Sequence, residues 1–221
     1  MKTTTSMRLA ALFSGGKDST YATLLANRAG HDIKYLVTVH SINPDSWMWH
    51  TAAIEITKMQ ARAAGIPLVI VKTRGEKENE LEELRASLKE LDIEGVVAGA
   101  VASEYQKKRI EKVCKKLGLK VLTPLWGLNP VSILNKMLDE NFEIIFSAVS
   151  AAGLDRSWLG KRIERKTIDE LVKLNKKYGI HISGEGGEYE TLVLSCPLFS
   201  INLPKHRTIW DEKTNSGRII F

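Results

Sequence analysis

The run Leu9-Ala10-Ala11-Leu12-Phe13 passes directly into Ser14-Gly15-Gly16-Lys17-Asp18-Ser19, and a helical pattern follows to Ala29. The apolar run reads as a buried strand. Paired glycines allow a sharp turn and bring backbone N–H groups close to phosphate oxygens, while the positive end of the helix starting near Asp18 favours an anion. Lys17 adds a mobile cation, and the hydroxyls of Ser14 and Ser19 add short hydrogen bonds. Strand, glycine loop and helix in that order form a phosphate cradle. A polar turn after a buried strand is the plainer alternative, against which the six residues in this context weigh together.

The spacing matches neither the Walker A loop nor the dinucleotide fingerprint. It resembles the S-G-G-x-D-S loop of the ATP pyrophosphatase group, whose members cut ATP between the α and β phosphates and release pyrophosphate. Around it, apolar runs alternate with helical patterns: Ile33–Val39, a helix near Thr51–Ala64, Leu68–Val71, a charged helix near Glu78–Leu91, Gly95–Gly99 and a helix near Tyr105–Leu117. Such alternation predicts a doubly wound, mostly parallel α/β sheet covered on both faces. Ligands of these sheets sit beyond the strand C-termini where strand order reverses. With the first strand at that switch, the segments His40-Ser41-Ile42-Asn43 and Ala100–Gln106 flank the site.

From about residue 126 the pattern changes. A short helix from Pro130, the run Phe142–Val149, a helix near Ile168–Tyr178, the strand Leu192-Val193-Leu194 and a terminal hairpin around Asn215-Ser216-Gly217 predict a smaller α/β domain. The expected division is a nucleotide-binding domain over 1–125 and a substrate-binding domain over 126–221 that closes over the nucleotide site.

With 43% hydrophobic and 26% charged residues, the 221-residue chain has an ordinary globular composition. No apolar run approaches the length of a membrane span and no signal peptide is visible, so no membrane role and a cytoplasmic location are expected. Cys114 and Cys196 are far apart and outside any C-x-x-C pattern, which argues against zinc or a disulfide framework. Cys114 shares a stripe with Ile110, Val113 and Leu117 and reads as buried. The net charge of +6 permits an acidic partner. Its excess concentrates on Lys107, Lys108, Arg109, Lys112, Lys115, Lys116 and Lys120, mostly the polar faces of one helix. With no interleaved aromatics, a solvated face is expected over stable nucleic-acid binding.

A second constellation is Glu185-Gly186-Gly187-Glu188-Tyr189-Glu190-Thr191. Entering a strand, Glu188 and Glu190 would project on one face. Close carboxylates in a cleft bind Mg²⁺ with phosphates, hold a cationic substrate or transfer protons; a solvated acidic turn is the alternative. Other candidates are His40 for adenosine, Tyr105, Gln106 and Arg109 after the adjacent strand, and Asp155 at the domain junction or as a helix cap. His50, after Trp47-Met48-Trp49, belongs to an aromatic loop that covers adenine or packs between domains.

Taken together, Ser14–Ser19, Glu104–Arg109, Pro124-Leu125-Trp126, Gly153-Leu154-Asp155 and Gly184–Leu192 resemble, in order and spacing, the diphthine–ammonia ligase family. The resemblance implies an adenine nucleotide alpha hydrolase-like, Rossmann-like fold. It also implies ATP-dependent amidation of diphthine on translation elongation factor 2, using ammonium and releasing AMP and pyrophosphate. The chain looks like the minimal archaeal form, without the C-terminal extensions of eukaryotic members.

On this resemblance, Ser14, Gly15, Gly16, Lys17, Asp18, Ser19, His40, Gln106 and Arg109 bind ATP. Tyr105, Asp155, Glu185, Glu188, Tyr189 and Glu190 face the substrate, Tyr189 through a cation–π contact with the diphthine trimethylammonium. Lys17, Asp18, Glu188 and Glu190 are the catalytic candidates. ATP and Mg²⁺ are the expected cofactors, with Asp18 as a candidate metal ligand. A homo-oligomer is compatible with the sequence. Two other functions share the loop: a tRNA-modifying adenylating enzyme and a non-catalytic ATP-binding regulatory module.

Overall fold

Arg8–Leu12 is the first strand (β1), and its apolar residues 9–12 are buried in the computed structural model, which describes residues 5–41, 54–73 and 79–221. Helix α1 (Lys17–Arg28), β2 (Asp32–Ser41), α2 (Ile54–Ala64), β3 (Leu68–Thr73), α3 (Asn79–Lys89), β4 (Gly95–Val97), α4 (Glu104–Leu117) and β5 (Lys120–Leu122) follow. The five strands are parallel, in the order β3-β2-β1-β4-β5. Parallel neighbours cannot be joined by tight turns, so every connection passes through a helix. The chain leaves β1 for β2 and β3, then returns to β4 on the other side of β1. Strand order therefore reverses between β1 and β4, and the crevice beyond their C-terminal ends is the ligand position of such sheets. This is the expected doubly wound sheet. Strand β5 is not legible in the sequence, because its three residues are only partly buried and include the exposed Lys120, so they form no apolar run such as that of β4.

The core explains why these segments are so apolar. Val37, Val39, Val71 and Val96 meet Leu81, Leu84 and Leu88 of α3 and Ile110, Val113 and Cys114 of α4 in one buried cluster. Burial pushes the Cys114 thiol up to about 12, so it is a core residue rather than a nucleophile. Cys196 is also buried and unbridged. Helix α4 starts at Ser103, whose hydroxyl accepts the Gln106 N–H at 3.4 Å, and stops at Gly118 in the left-handed conformation.

The chain separates into two compact units, Met1–Trp126 and Gly127–Phe221. The second contains α5 (Pro130–Asp139), β6 (Glu143–Val149), a short 3-10 helix (Arg156–Trp158), α6 (Arg165–Tyr178), β7 (Tyr189–Cys196), β8 (Phe199–Ser200), β9 (Arg207–Asp211) and β10 (Ser216–Ile220). Its strands form an antiparallel sheet in the order β8-β7-β6-β10-β9, with β9 and β10 as the expected terminal hairpin. Asn129 caps α5 by accepting the Ser132 N–H at 3.0 Å, and Pro130 occupies its first turn. At the centre, the fully buried Phe146 ring meets Trp158 and Tyr189 edge-on, with centroids 5.1 and 4.9 Å away. Among the described residues, no helix is long and apolar enough to cross a membrane.

Candidate functional site

The loop Phe13–Gly16 lies at the strand-order switch, and its shape follows from a few local bonds. Strand β2 anchors its entry: the Phe13 N–H donates to the Val37 carbonyl at 2.8 Å, and the Thr38 hydroxyl donates to the Phe13 carbonyl at 2.7 Å. Gly15 then adopts φ +78°, a conformation open to glycine and strained for other residues. Gly16 is the N-cap of α1 without a side-chain cap; its carbonyl accepts from the hydroxyls of Thr20 (2.8 Å) and Ser19 (3.1 Å). The hydroxyls of Ser14 and Ser19 lie 3.1 Å apart at the mouth of the loop. The N-terminal N–H groups of α1 and its dipole thus face the crevice beyond β1, the arrangement that attracts anions.

Lys17 differs from its expected role as a mobile cation. Its side chain is only 3% exposed, and Nζ is 2.7 Å from Asp18 Oδ2. A buried ammonium requires a partner, and the neighbouring carboxylate supplies it. The cation is therefore held in place beneath the loop. Gly99, just after β4, completes the fit: a Cβ there would lie 2.6 Å from the Asp18 carbonyl carbon and the Ser19 nitrogen. Only glycine lets that segment approach the start of α1 so closely.

Around the loop, the other candidates from the first unit take distinct positions. His40 lies near the C-terminal end of β2, paired with Lys72 of β3. Its Nδ1 is buried and has no hydrogen-bond partner among the described residues. Tyr105 is 43% exposed, and the Arg109 guanidinium lies 5.1 Å from its ring centroid. Gln106 is half-buried, and its backbone N–H is taken by the Ser103 cap.

Part of the basic face of α4 is engaged by neighbours. Lys107 sits 4.1 Å from the Trp126 ring centroid, Lys108 pairs with Glu104 at 3.2 Å and Lys116 with Glu82 at 3.0 Å. Arg85 and Lys116 beside Glu82 hold its carboxyl below the usual range. His50, Trp47-Met48-Trp49, Ile42 and Asn43 lie outside the described residues.

In the second unit, the acidic segment is a self-bonded loop ahead of β7. Glu188 is not a strand residue. Its Oε1 accepts the His181 N–H at 2.7 Å and its Oε2 accepts the Gly186 N–H at 2.8 Å. The carboxylate expected to share a face with that of Glu190 is instead turned back to hold the loop, because backbone donors without strand partners need acceptors. Tyr189 is built into the core of this unit. It is 4% exposed, its ring packs on Phe146, and its hydroxyl donates to the Ile182 carbonyl. Strand alternation puts Glu190 on the opposite face from Tyr189; Glu190 pairs with Ala148 and is half-buried, as is Glu185.

Asp155 takes the capping alternative, accepting from the N–H (2.9 Å) and hydroxyl of Ser157 at the start of the 3-10 helix. The Ser157 hydroxyl and then its N–H hold the Asp155 carboxyl below its ordinary range.

A prediction follows for Glu188. In Glu188→Ala the part-buried His181 N–H loses its acceptor, so the unfolding midpoint should fall by an amount equivalent to about 1 kcal/mol. Glu188→Gln retains one acceptor oxygen and should fall by less. Equal midpoints for wild type and Glu188→Ala in urea would show that the loop does not depend on this carboxylate.

Among the described residues, no group of three or more His, Cys, Asp or Glu side chains is placed to hold a metal. Asp18 is the carboxylate in the first turn of α1, directly after the loop. One carboxylate suits Mg²⁺ bound mainly through nucleotide phosphates, which is how this ion commonly sits at such sites.

Family models for the diphthamide synthase N-terminal domain and the diphthamide synthase C-terminal domain match residues 7–121 and 129–219. The chain is similar to the diphthine–ammonia ligases of Bos taurus and Homo sapiens, each 39% identical over 216 residues, spanning 87% of this chain and 80% of the relative. The diphthine–ammonia ligase of Schizosaccharomyces pombe is 37% identical over 239 residues, spanning 97% of this chain and 38% of that protein. A solved structure described as a predicted subunit of tRNA methyltransferase from Methanocaldococcus jannaschii matches with a TM-score of 0.46 and 14% identity, over 86% of this chain and 98% of that one.

Proposed function

The chain belongs to the diphthamide synthase family, and from that membership we propose that it is an ATP-dependent ligase that amidates diphthine with ammonium, forming diphthamide, AMP and pyrophosphate. The acceptor is diphthine on translation elongation factor 2, and a cytoplasmic location is part of the same proposal. The observation that carries the nucleotide part of this reading is the loop at the strand-order switch with a buried lysine beneath it.

The chemistry explains why ATP is needed. A carboxylate does not acylate an amine, because oxide is a poor leaving group. In the first step a carboxylate oxygen of diphthine bonds to the α phosphorus, and the bond from that phosphorus to the bridging oxygen breaks. Pyrophosphate leaves with the electron pair. Ammonia, formed when ammonium gives up one proton to solvent, then bonds to the acyl carbon; the carbon–oxygen bond to AMP breaks with its electron pair on AMP, and a second proton leaves the nitrogen to give the neutral amide.

Each residue role follows from where charge develops. Lys17, the N–H groups of Gly15 and Gly16, and the hydroxyls of Ser14 and Ser19 stabilise charge growing on the β and γ phosphates. Asp18 keeps Lys17 in place and would be the protein ligand of Mg²⁺, whose chemistry is neutralisation of phosphate charge. The orphaned Nδ1 of His40 supports a contact to adenosine. Gln106 and Arg109 serve the nucleotide and Tyr105 the acceptor. Glu185 and Glu190 draw the trimethylammonium group or the incoming ammonium. Glu188, Tyr189 and Asp155 act through the shape of their loops.

A tRNA acceptor is not favoured, since the relatives this chain resembles over most of its length are diphthine–ammonia ligases. The test incubates the protein with ATP, Mg²⁺, ammonium and elongation factor 2 bearing diphthine. AMP should appear together with the acceptor mass change of replacing a hydroxyl by an amino group. AMP without that mass change would redirect the search to another acceptor. ATP binding with neither product would leave a regulatory module.

A further inference from the structure

Helix α2 presents two polar side chains, Thr57 and Gln60, among the apolar ones of its buried face, and Gln60 is completely inaccessible to solvent. A buried amide needs partners. One is given by the loop itself: Gln60 Nε2 donates to the Gly15 carbonyl at 3.0 Å. The approach is so close that a Cβ on Gly15 would lie 2.5 Å from Gln60 Oε1 and 3.3 Å from Thr57 Cγ2. Gly15 is therefore required twice, for its positive φ and for room for this amide.

We propose that Gln60 is a positioning residue that fixes the orientation of the Gly15–Gly16 peptide so that the loop presents a donor rather than an acceptor to the phosphates; this rests on the nucleotide reading given above. In a trans peptide the carbonyl and the N–H point to opposite sides. With the Gly15 oxygen drawn toward α2, the Gly16 N–H is directed to the other side, where it donates to the Ser14 hydroxyl at 3.3 Å and where a phosphate oxygen would take over that bond. Flanked by two glycines, this peptide can flip at little steric cost. Flipped, it would turn a carbonyl dipole toward the pyrophosphate and repel it. Gln60 suppresses that state before the ligand arrives, the preorganisation that makes backbone donors effective.

The test measures binding of inorganic pyrophosphate, ATP and AMP to the full chain by calorimetry, in wild type, Gln60→Met and Gln60→Glu. Met fills a similar volume without a donor. It should bind pyrophosphate and ATP about tenfold more weakly, the worth of one hydrogen bond, with AMP affinity nearly unchanged. A buried Glu donates only when protonated, so the Gln60→Glu affinity relative to wild type should recover as pH falls, while the Gln60→Met ratio stays flat. If Gln60→Met does not fold, the Gln60→Glu series decides alone.

Unchanged pyrophosphate affinity in Gln60→Met would overturn the proposal, as would equal losses for pyrophosphate and AMP, which mark a packing role. A Gln60→Glu ratio independent of pH would overturn it too. Wild type binding neither pyrophosphate nor ATP would instead overturn the nucleotide reading, and the proposal with it.

Discussion

Replacing Lys17 by methionine should lower the rate of pyrophosphate release at least about 10²- to 10³-fold, the loss that follows removal of one preorganised donor from developing charge. The side chain is buried, and its ammonium is held 2.7 Å from the Asp18 carboxylate, so the charge does not have to be gathered from solvent when the leaving group forms. Methionine preserves most of the packing of the stem. It also removes the Lys17 ammonium from the Asp18 carboxylate, which is partly exposed and can recover some solvation. Stability and chemistry are therefore separable with Lys17→Met/Asp18→Asn. That pair should regain much of any lost melting temperature and none of the lost rate. Lys17→Arg should not rescue either, since a planar guanidinium does not fit where an ammonium is fully enclosed. A single-turnover assay with saturating ATP is the measurement, and more than a tenth of the wild-type rate in Lys17→Met would remove the lysine from the mechanism.

The second large effect is expected at Gly99→Ala. The added methyl would meet the carbonyl carbon of Asp18 and the nitrogen of Ser19 at 2.6 Å and the Asp18 oxygen at 2.8 Å. These are backbone atoms of the first turn of α1, and they cannot swing aside as a side chain can. Either the start of the helix or the end of β4 must move. Overpacking of this kind costs about 1–3 kcal/mol, and a displacement of the phosphate loop approaching 1 Å costs about 10²-fold in rate. Gly118→Ala is the control. Gly118 has a positive φ, which Gly99 does not, and nothing lies within 4 Å of its added Cβ. It should lose about 1–2 kcal/mol from backbone strain alone and keep its turnover. Urea denaturation and pyrophosphate release on both variants test the contrast; wild-type turnover in Gly99→Ala would show that α1 tolerates the shift.

The legible part of this fold is that whose signal is local. Apolar runs such as Leu9–Phe13 separated by amphipathic helices define a doubly wound sheet, since parallel strands must be buried on both faces and joined through helices. The strand–loop–helix passage from Leu9 through Ser14–Ser19 was readable for the same reason, since glycines, a lysine and hydroxyls at that point are a local pattern, whereas the loop's final shape also depends on Thr38, Gln60 and Gly99. Cys114, in a stripe with Ile110 and Val113, was readable as core. The three-residue strand Lys120–Leu122 was not, because its identity comes from pairing with Gly95–Val97 and hardly at all from its own pattern.

Side-chain roles divide along the same line. Composition and order alone determined that residues 14–19 suit an anion, that residues 185–190 concentrate carboxylates, and which family the motifs resemble. Tertiary structure decided which of those groups face outward and which serve the protein itself. Glu188 is spent on two backbone N–H groups, Tyr189 on the core around Phe146, and Asp155 on a helix cap. Gln60 and Gly99 carry no local sign of function, and each acquires one only because a helix 45 positions away and a strand end are brought against the same loop. The physical reason is that propensity and hydrophobic period are encoded within a few residues, whereas a hydrogen-bond partner or a close approach is fixed only when separate segments pack together.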